Sequence, residues 1–339
     1  MENSTKIPVS VLELATVPEG GNHRTAIENT VKIAQHTEDL GYKRIWMAEH
    51  HNMEYIASSA TSVLIGHVAG KTSKIRVGSG GIMLPNHSPL VIAEQFGTLE
   101  TIYPGRIDLG LGRAPGSDQE TAYAIRRKNM SVAQDFPADV RQLQAYFSEE
   151  NRRAKVRAFP AEGLHVPLYI LGSSTDSAYL AAELGLPYAF AAHFAPAQFY
   201  RAIQIYRSNF KPSRVLDKPY VIACVNVIGS DSDEEANELL NSLIRLIIGI
   251  ITNTRQPVGP PRELPDVYEM PEVRQAVNNM LSCSFVGSRE TLEQNLSEFI
   301  AETGINELMA ASHIYDLEKK LTSFSILKEA LSVSSTSLV

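Results

Sequence analysis

Disulfide frameworks, bulk nucleic-acid binding and membrane insertion each need residues that this chain has little of. It carries only two cysteines, Cys224 and Cys283, far apart and in no CxxC spacing. That suits a reducing cytoplasm better than a cross-linked secreted scaffold. Positive charge is in deficit, with a formal net charge of -7. No basic face is then available to neutralise phosphates, and neither a nucleic-acid nor a membrane partner is expected. The apolar run over residues 239–251 is interrupted by Asn241, Ser242 and Arg245 and is too short to span a bilayer. The opening MENSTKIPVS has no apolar signal core, so a cytoplasmic location is expected. Metal-ligand spacings such as HxH and HExxH are absent, and no metal is expected. GLGRAPG, from Gly110 to Gly116, departs from the GxGxxG of a dinucleotide site.

What the chain does have is repeated alternation of strand-like and helix-like segments. Strand-like runs begin near Val9, Arg44, Ile75, Arg106, Pro167, Pro187, Tyr220 and Asn306, with amphipathic stretches between them. Glycine closes several of the helices, among them Gly41 and Gly185. Eight strand-helix units with no break between halves favour a single α/β domain over residues 1–339, folded as a (β/α)8 TIM barrel. One stretch breaks the pattern. Residues 252–271 hold five prolines and two arginines, and the expectation is an insertion after strand seven, over residues 252–285, packed across the barrel mouth as a lid.

Chemistry on such a barrel sits at the C-terminal ends of the strands. Those ends carry Glu49-His50-His51, Gly80-Gly81, Gly112-Arg113, Gly172-Ser173-Ser174, His193 and His313. Adjacent histidines on an extended segment point to opposite sides, so His50 and His51 do not readily ligate one metal together. One imidazole facing the mouth could act as an acid/base or hydrogen-bonding group, or be a buried structural histidine. Gly172-Ser173-Ser174-Thr175 precedes a helix, where free amides and hydroxyls make an anion site or a plain N-cap cluster. Arg113 can offer planar paired donors to a phosphate, or form a salt bridge with Asp108 or Asp118.

The stretch from Gly78 to Gly116, GSGGIMLPNHSPLVIAEQFGTLETIYPGRIDLGLGRAPG, closely resembles the bacterial luciferase-like monooxygenase family, and Ala48-Glu49-His50-His51 belongs to the same likeness. The resemblance covers essentially the whole chain and is to the family's single-chain members. It implies a two-component monooxygenase that uses reduced FMN from a separate flavin reductase, consumes O2 and places one oxygen atom on a small organic substrate. It further implies that His50 is catalytic and that Ser173 and Ser174 hold the flavin phosphate. Arg113 would lie in the flavin site, with Arg126 and Arg127 as further phosphate contacts. Gly80-Gly81 would form a non-proline cis peptide beneath the ring, and subunits would pair as a homodimer through residues 57–70 and 90–102. Gly112 stands where the luciferase α chain has a reactive cysteine, so light emission is not expected. Rival readings are a hydride-transferring oxidoreductase using the deazaflavin F420, a non-catalytic FMN-binding protein and a metal-dependent hydrolase.

Overall fold

The structure, a computed structural model, describes residues 7–114, 118–126 and 135–332, apart from the side chains of Gln119 and Arg126. Eight parallel strands close into a barrel: β1 (Val9–Glu13), β2 (Arg44–Met47), β3 (Arg76–Met83), β4 (Ile107–Gly112), β5 (Leu168–Gly172), β6 (Tyr188–Ala191), β7 (Val221–Gly229) and β9 (Glu307–Ala311). Neighbours pair in chain order, β7 pairs with both β6 and β9, and β9 returns to β1. Closure leaves no edge strand in this ring, which is the (β/α)8 TIM barrel.

The strands are nearly continuous apolar runs because both of their faces are covered. Outward residues such as Val11, Ile45, Val77, Leu109 and Ile170 join the helices in one core. Inward residues, including Leu12, Trp46, Tyr169, Ile222, Cys224 and Met309, fill the lumen. Both cysteines are free and buried. Burial pushes the Cys224 thiol up, away from reactivity.

At the N-terminal end of the strands the lumen is closed by buried charge. Asp108 accepts from Arg44 Nη1 at 2.7 Å, from Trp46 Nε1 at 3.1 Å and from Arg76 Nε at 2.9 Å. Glu307 accepts from Tyr220 at 2.7 Å and from Lys43 at 3.0 Å, and Arg44 Nη1 also reaches Tyr169 Oη at 2.6 Å. Both carboxylates are fully buried, so these partners offset what would otherwise be a large desolvation penalty.

The described α-helices are, in chain order, α1 (His23–Asp39), α2 (Thr61–Ala69), α3 (Pro89–Ile102), α4 (Gln119–Arg126), α5 (Phe136–Phe147), α6 (Thr175–Leu184), α7 (Phe199–Asn209), α8 (Asp233–Ile251), α9 (Pro271–Met280), α10 (Arg289–Thr303) and α11 (Leu317–Ala330). Of the apolar, small-residue segment 57–70, helical by its composition, only Thr61–Ala69 forms helix. The insertion contains more regular structure than its prolines suggest. It forms α9 and leads into a short strand, β8 (Ser284–Gly287), which pairs outside the ring with the far end of β7. Val258 bridges to Pro18, Glu19 N donates to the Val258 carbonyl at 2.8 Å, and Arg262 pairs with Glu19 at 2.7 Å. The excursion is thereby pinned to the chain leaving β1, on the mouth side of the barrel. Among the described residues, no helix is long and apolar enough to cross a membrane.

Candidate active site

Three histidines gather at the C-terminal mouth. Trp46 and Ala48 face the lumen, and the two-residue alternation carries His50 to the same side. The His193 ring feels the charge of both His313 and His50. Burial, reinforced by His313, pushes His193 down to about 4. Burial and the nearby Lys320 push His313 down to about 4 as well. Both rings are therefore neutral near pH 7 and present one donor and one acceptor each.

Beside them stand buried polar atoms without a partner among the described residues, His193 Nδ1 and Asn226 Oδ1. Asn226 Nδ2 is used, donating to the His193 carbonyl at 3.0 Å and to Ser284 Oγ at 3.1 Å. Buried polar groups are normally satisfied, so orphans clustered at a barrel mouth fit a place where a bound polar group completes the set.

The second part of the site lies at the end of β5. Ser174 is the N-cap of α6, yet its side chain makes no capping bond, leaving first-turn amides available. Its carbonyl is held instead, by Ser177 Oγ at 2.8 Å and Tyr188 Oη at 3.2 Å, which fixes the turn. Gly172 is required here, since a Cβ at that position would meet Ser177 Oγ at 1.8 Å. Ser173 is exposed beside it. Arg113, from the end of β4, reaches across so that its Nη2 lies 3.1 Å from Asp176 Oδ2 in the first turn of α6. The structure thus brings Arg113, Ser173 and Ser174 together. Neither acidic partner considered for Arg113 holds it: Asp108 serves Arg44 and Arg76, and Asp118 serves Asn52 and Thr121. Arg127 and the side chain of Arg126 lie outside the described residues. A guanidinium beside free helix-start amides fits the phosphate of a flavin mononucleotide.

The Gly80-Gly81 bond is cis. The glycines are demanded by the protein's own packing. A Cβ on Gly80 would meet Leu12 Cδ1 at 2.8 Å and Trp46 Cβ at 2.9 Å, and one on Gly81 would meet the Gly110 carbonyl at 2.7 Å. Glycine here lets the strand end crowd against its neighbours.

Glu49 and His51 turn away from the lumen. Glu49 accepts from His51 Nε2 at 2.9 Å, from His87 Nε2 at 2.8 Å and from Met83 N at 3.2 Å. Burial alone would raise this carboxyl, but the bonds from His87, His51 and Met83 outweigh it and hold it below the usual carboxylate range. Sequence reasoning did not single out His87 or Asn226. His87 lies 38 positions from Glu49 and carries no spacing motif, so only the fold brings the two together.

Comparison with known proteins identifies the family. The family model for luciferase-like monooxygenases matches residues 7–307. An Escherichia coli protein named as a luciferase-like monooxygenase is 47% identical over 320 residues, covering 94% of this chain and 96% of its own. The N-acetyl-S-alkylcysteine monooxygenase of Bacillus subtilis is 30% identical, covering 96% and 98%. Among solved structures, apo-MsnO8 superimposes with a TM-score of 0.86 at 31% identity, covering 97% of this chain and 99% of its own. More distant barrels share the fold. The oxygenating component of 3,6-diketocamphane monooxygenase from Pseudomonas putida, solved with FMN, has a TM-score of 0.73 at 18% identity and covers 96% and 98%. An F420-dependent secondary alcohol dehydrogenase has a TM-score of 0.66 at 15% identity and covers 97% and 100%. This chain belongs to the luciferase-like monooxygenase family.

Proposed function

We propose that this protein is a two-component monooxygenase that takes up reduced FMN and O2 and oxygenates a small organic substrate at the barrel mouth. The observation that carries this reading is the pairing of Arg113 with the uncapped start of α6, close to a mouth that holds three histidines. Reduced flavin bound there would supply the electrons that activate O2. The chain's own residues do the rest. Arg113, the Ser173 and Ser174 hydroxyls and the first amides of α6 hold the phosphate. The backbone at the Gly80-Gly81 strand end supports a flat flavin ring. His50 holds or delivers a proton at the reacting atoms, and neutral His193 with Asn226 orients the substrate's polar group. Residues 252–271, pinned over the end of β1, exclude water. The family's named thioether oxygenase makes S-alkylated N-acetylcysteines a sensible start for a substrate panel.

The test is a pair of titrations with FMN and F420, followed by oxygen uptake with photoreduced FMN. We expect FMN to bind, affinity to fall at least tenfold in Arg113→Ala, and O2 to be consumed with oxygenated product. F420 binding with hydride transfer and no O2 demand would replace this reading with the deazaflavin one. FMN retention with no product from any substrate would leave a binding protein.

A further inference from the structure

On the side of β2 facing away from the three-histidine mouth, a second cluster is already assembled. Glu49 Oε1 receives both His51 Nε2, at 2.9 Å, and His87 Nε2, at 2.8 Å. The three donor atoms all lie within 4.8 Å of one another. They come from separate parts of the chain. Glu49 and His51 follow β2, while His87 follows the 3-10 turn Leu84–Asn86 beyond β3. Asn52, with a left-handed φ of 53°, turns the chain just after His51, as that ring folds back onto Glu49. Met83 N occupies the other carboxylate oxygen, which fixes the carboxyl plane and leaves Oε1 to face the two rings.

The two separations from Glu49 Oε1 are short enough for the carboxylate and its imidazole partners to share one ion. Bonds of about 2.1 Å set at right angles put adjacent donors about 3.0 Å apart, and tetrahedral angles put them about 3.4 Å apart. The 2.8 and 2.9 Å from Glu49 Oε1 to the two rings match right-angled bonds, and the two ring nitrogens lie within 4.8 Å of each other. Two imidazoles and one carboxylate, with further positions open, make a donor set suited to divalent first-row ions. The open positions have access to solvent: the side chains of His51 and His87 are 18% and 27% exposed, while that of Glu49 is 2% exposed. The Met83 amide supplies the outer hydrogen bond that orients a ligating carboxylate.

We propose that Glu49, His51 and His87 form a binding site for a divalent first-row transition-metal ion, with Zn2+ as the probe. On binding, both rings present an unprotonated Nε2 to the ion, and two N–H···O contacts give way to three ligand bonds. The ion would clamp the end of β2 to the segment after β3, behind the residue that faces the mouth. The inference does not depend on the flavin reading, because neither flavin nor turnover enters its test.

The experiment uses the full chain, stripped with EDTA and dialysed. Zn2+ is titrated calorimetrically and against a chromophoric chelator, and Co2+ is followed by its visible absorption. We expect one ion per chain, a rise in melting temperature on loading, and at least tenfold weaker binding in both His87→Gln and His51→Gln. Glutamine keeps an N–H donor for Glu49, so these variants retain the apo contact and should fold; circular dichroism checks this. His87→Asn serves as a second version if one does not. The proposal is overturned if the wild-type chain takes up no saturable single equivalent. It is equally overturned if the glutamine variants bind as tightly as wild type, since the ion would then sit elsewhere.

Discussion

His50 and His51 are joined by one peptide bond, yet they serve opposite sides of the end of β2. Whereas His50 faces the lumen, His51 reaches back to Glu49 at 2.9 Å. Substituting each in turn should separate their roles. His50→Ala should keep the fold and FMN affinity while lowering turnover by roughly 10²–10⁴-fold, the usual range for a lost general acid or base. His51→Ala removes a hydrogen bond to a buried carboxylate and should cost on the order of 1.5–3 kcal/mol of stability with far less effect on turnover. Single-turnover rates with reduced FMN, read beside thermal melts, check both; equal loss of turnover in the two variants would refute the division. His193 and His313 give a pH signature. Each is pushed down to about 4 in the folded chain, below the ordinary 6.5. The unfolded chain therefore takes up protons first. The stabilising contribution of the neutral rings is complete above pH 6.5 and is lost as pH falls toward 4. Urea unfolding midpoints should fall across that window, and less steeply in His193→Asn. A slope unchanged by that substitution would show that the ring is not buried neutral. At this scale the sequence disclosed the strand-end histidines, serines and Arg113, since each sits in a local motif. It could not disclose His87, whose meaning depends on where β3 ends relative to β2.

Whole strands and helices were easier to read than their partners. The apolar runs of the eight barrel strands and the stop at Gly185, with its left-handed φ of 61°, follow from local chemistry. So does Ser288, which caps α10 by accepting from Thr291 N. By contrast, β8 was missed. Its four residues, Ser284 to Gly287, are too few for a period, and it is a strand only because the far end of β7 offers hydrogen-bond partners. The charged residues at the strand starts tell a similar story. Arg44, Asp108 and Glu307 are unremarkable in sequence, but the barrel sets them on one layer that ties β2, β4 and β9 together. Asp108→Ala would strip three donors of their shared acceptor and leave Arg44 buried beside an incomplete set. We expect a loss of about 3–5 kcal/mol, the range for breaking a buried ion pair. Denaturant titration checks it, and a loss below about 1 kcal/mol would mean that the layer does not hold the strands.

For the molecule as a whole, the α2–α3 side is the face to watch. Its glycines pack within the chain: a Cβ on Gly70 would meet Tyr103 Oη at 2.9 Å, and one on Gly66 would meet Leu99 at 3.2 Å. What remains outside is apolar, with Val63 71% exposed, Ile102 58% and Val91 43%. Val91 and Ile102, eleven positions apart on one helix, fall on the same stripe. A second copy of the chain is the occupant we expect, as a two-fold homodimer. Light scattering should give twice 37.3 kDa, and Ile102→Glu with Val63→Glu should return it to a monomer; a monomer from the wild-type chain would dismiss the pairing. The layer of buried charge under the lumen has a consequence for traffic. With its lumen filled by side chains and its floor sealed by Arg44, Asp108, Glu307 and their partners, the barrel as described is open at its mouth alone. Under the proposed reaction, a molecule that meets His50 and the product it becomes would pass the same rim, so each departing product would hold the door against the next to enter.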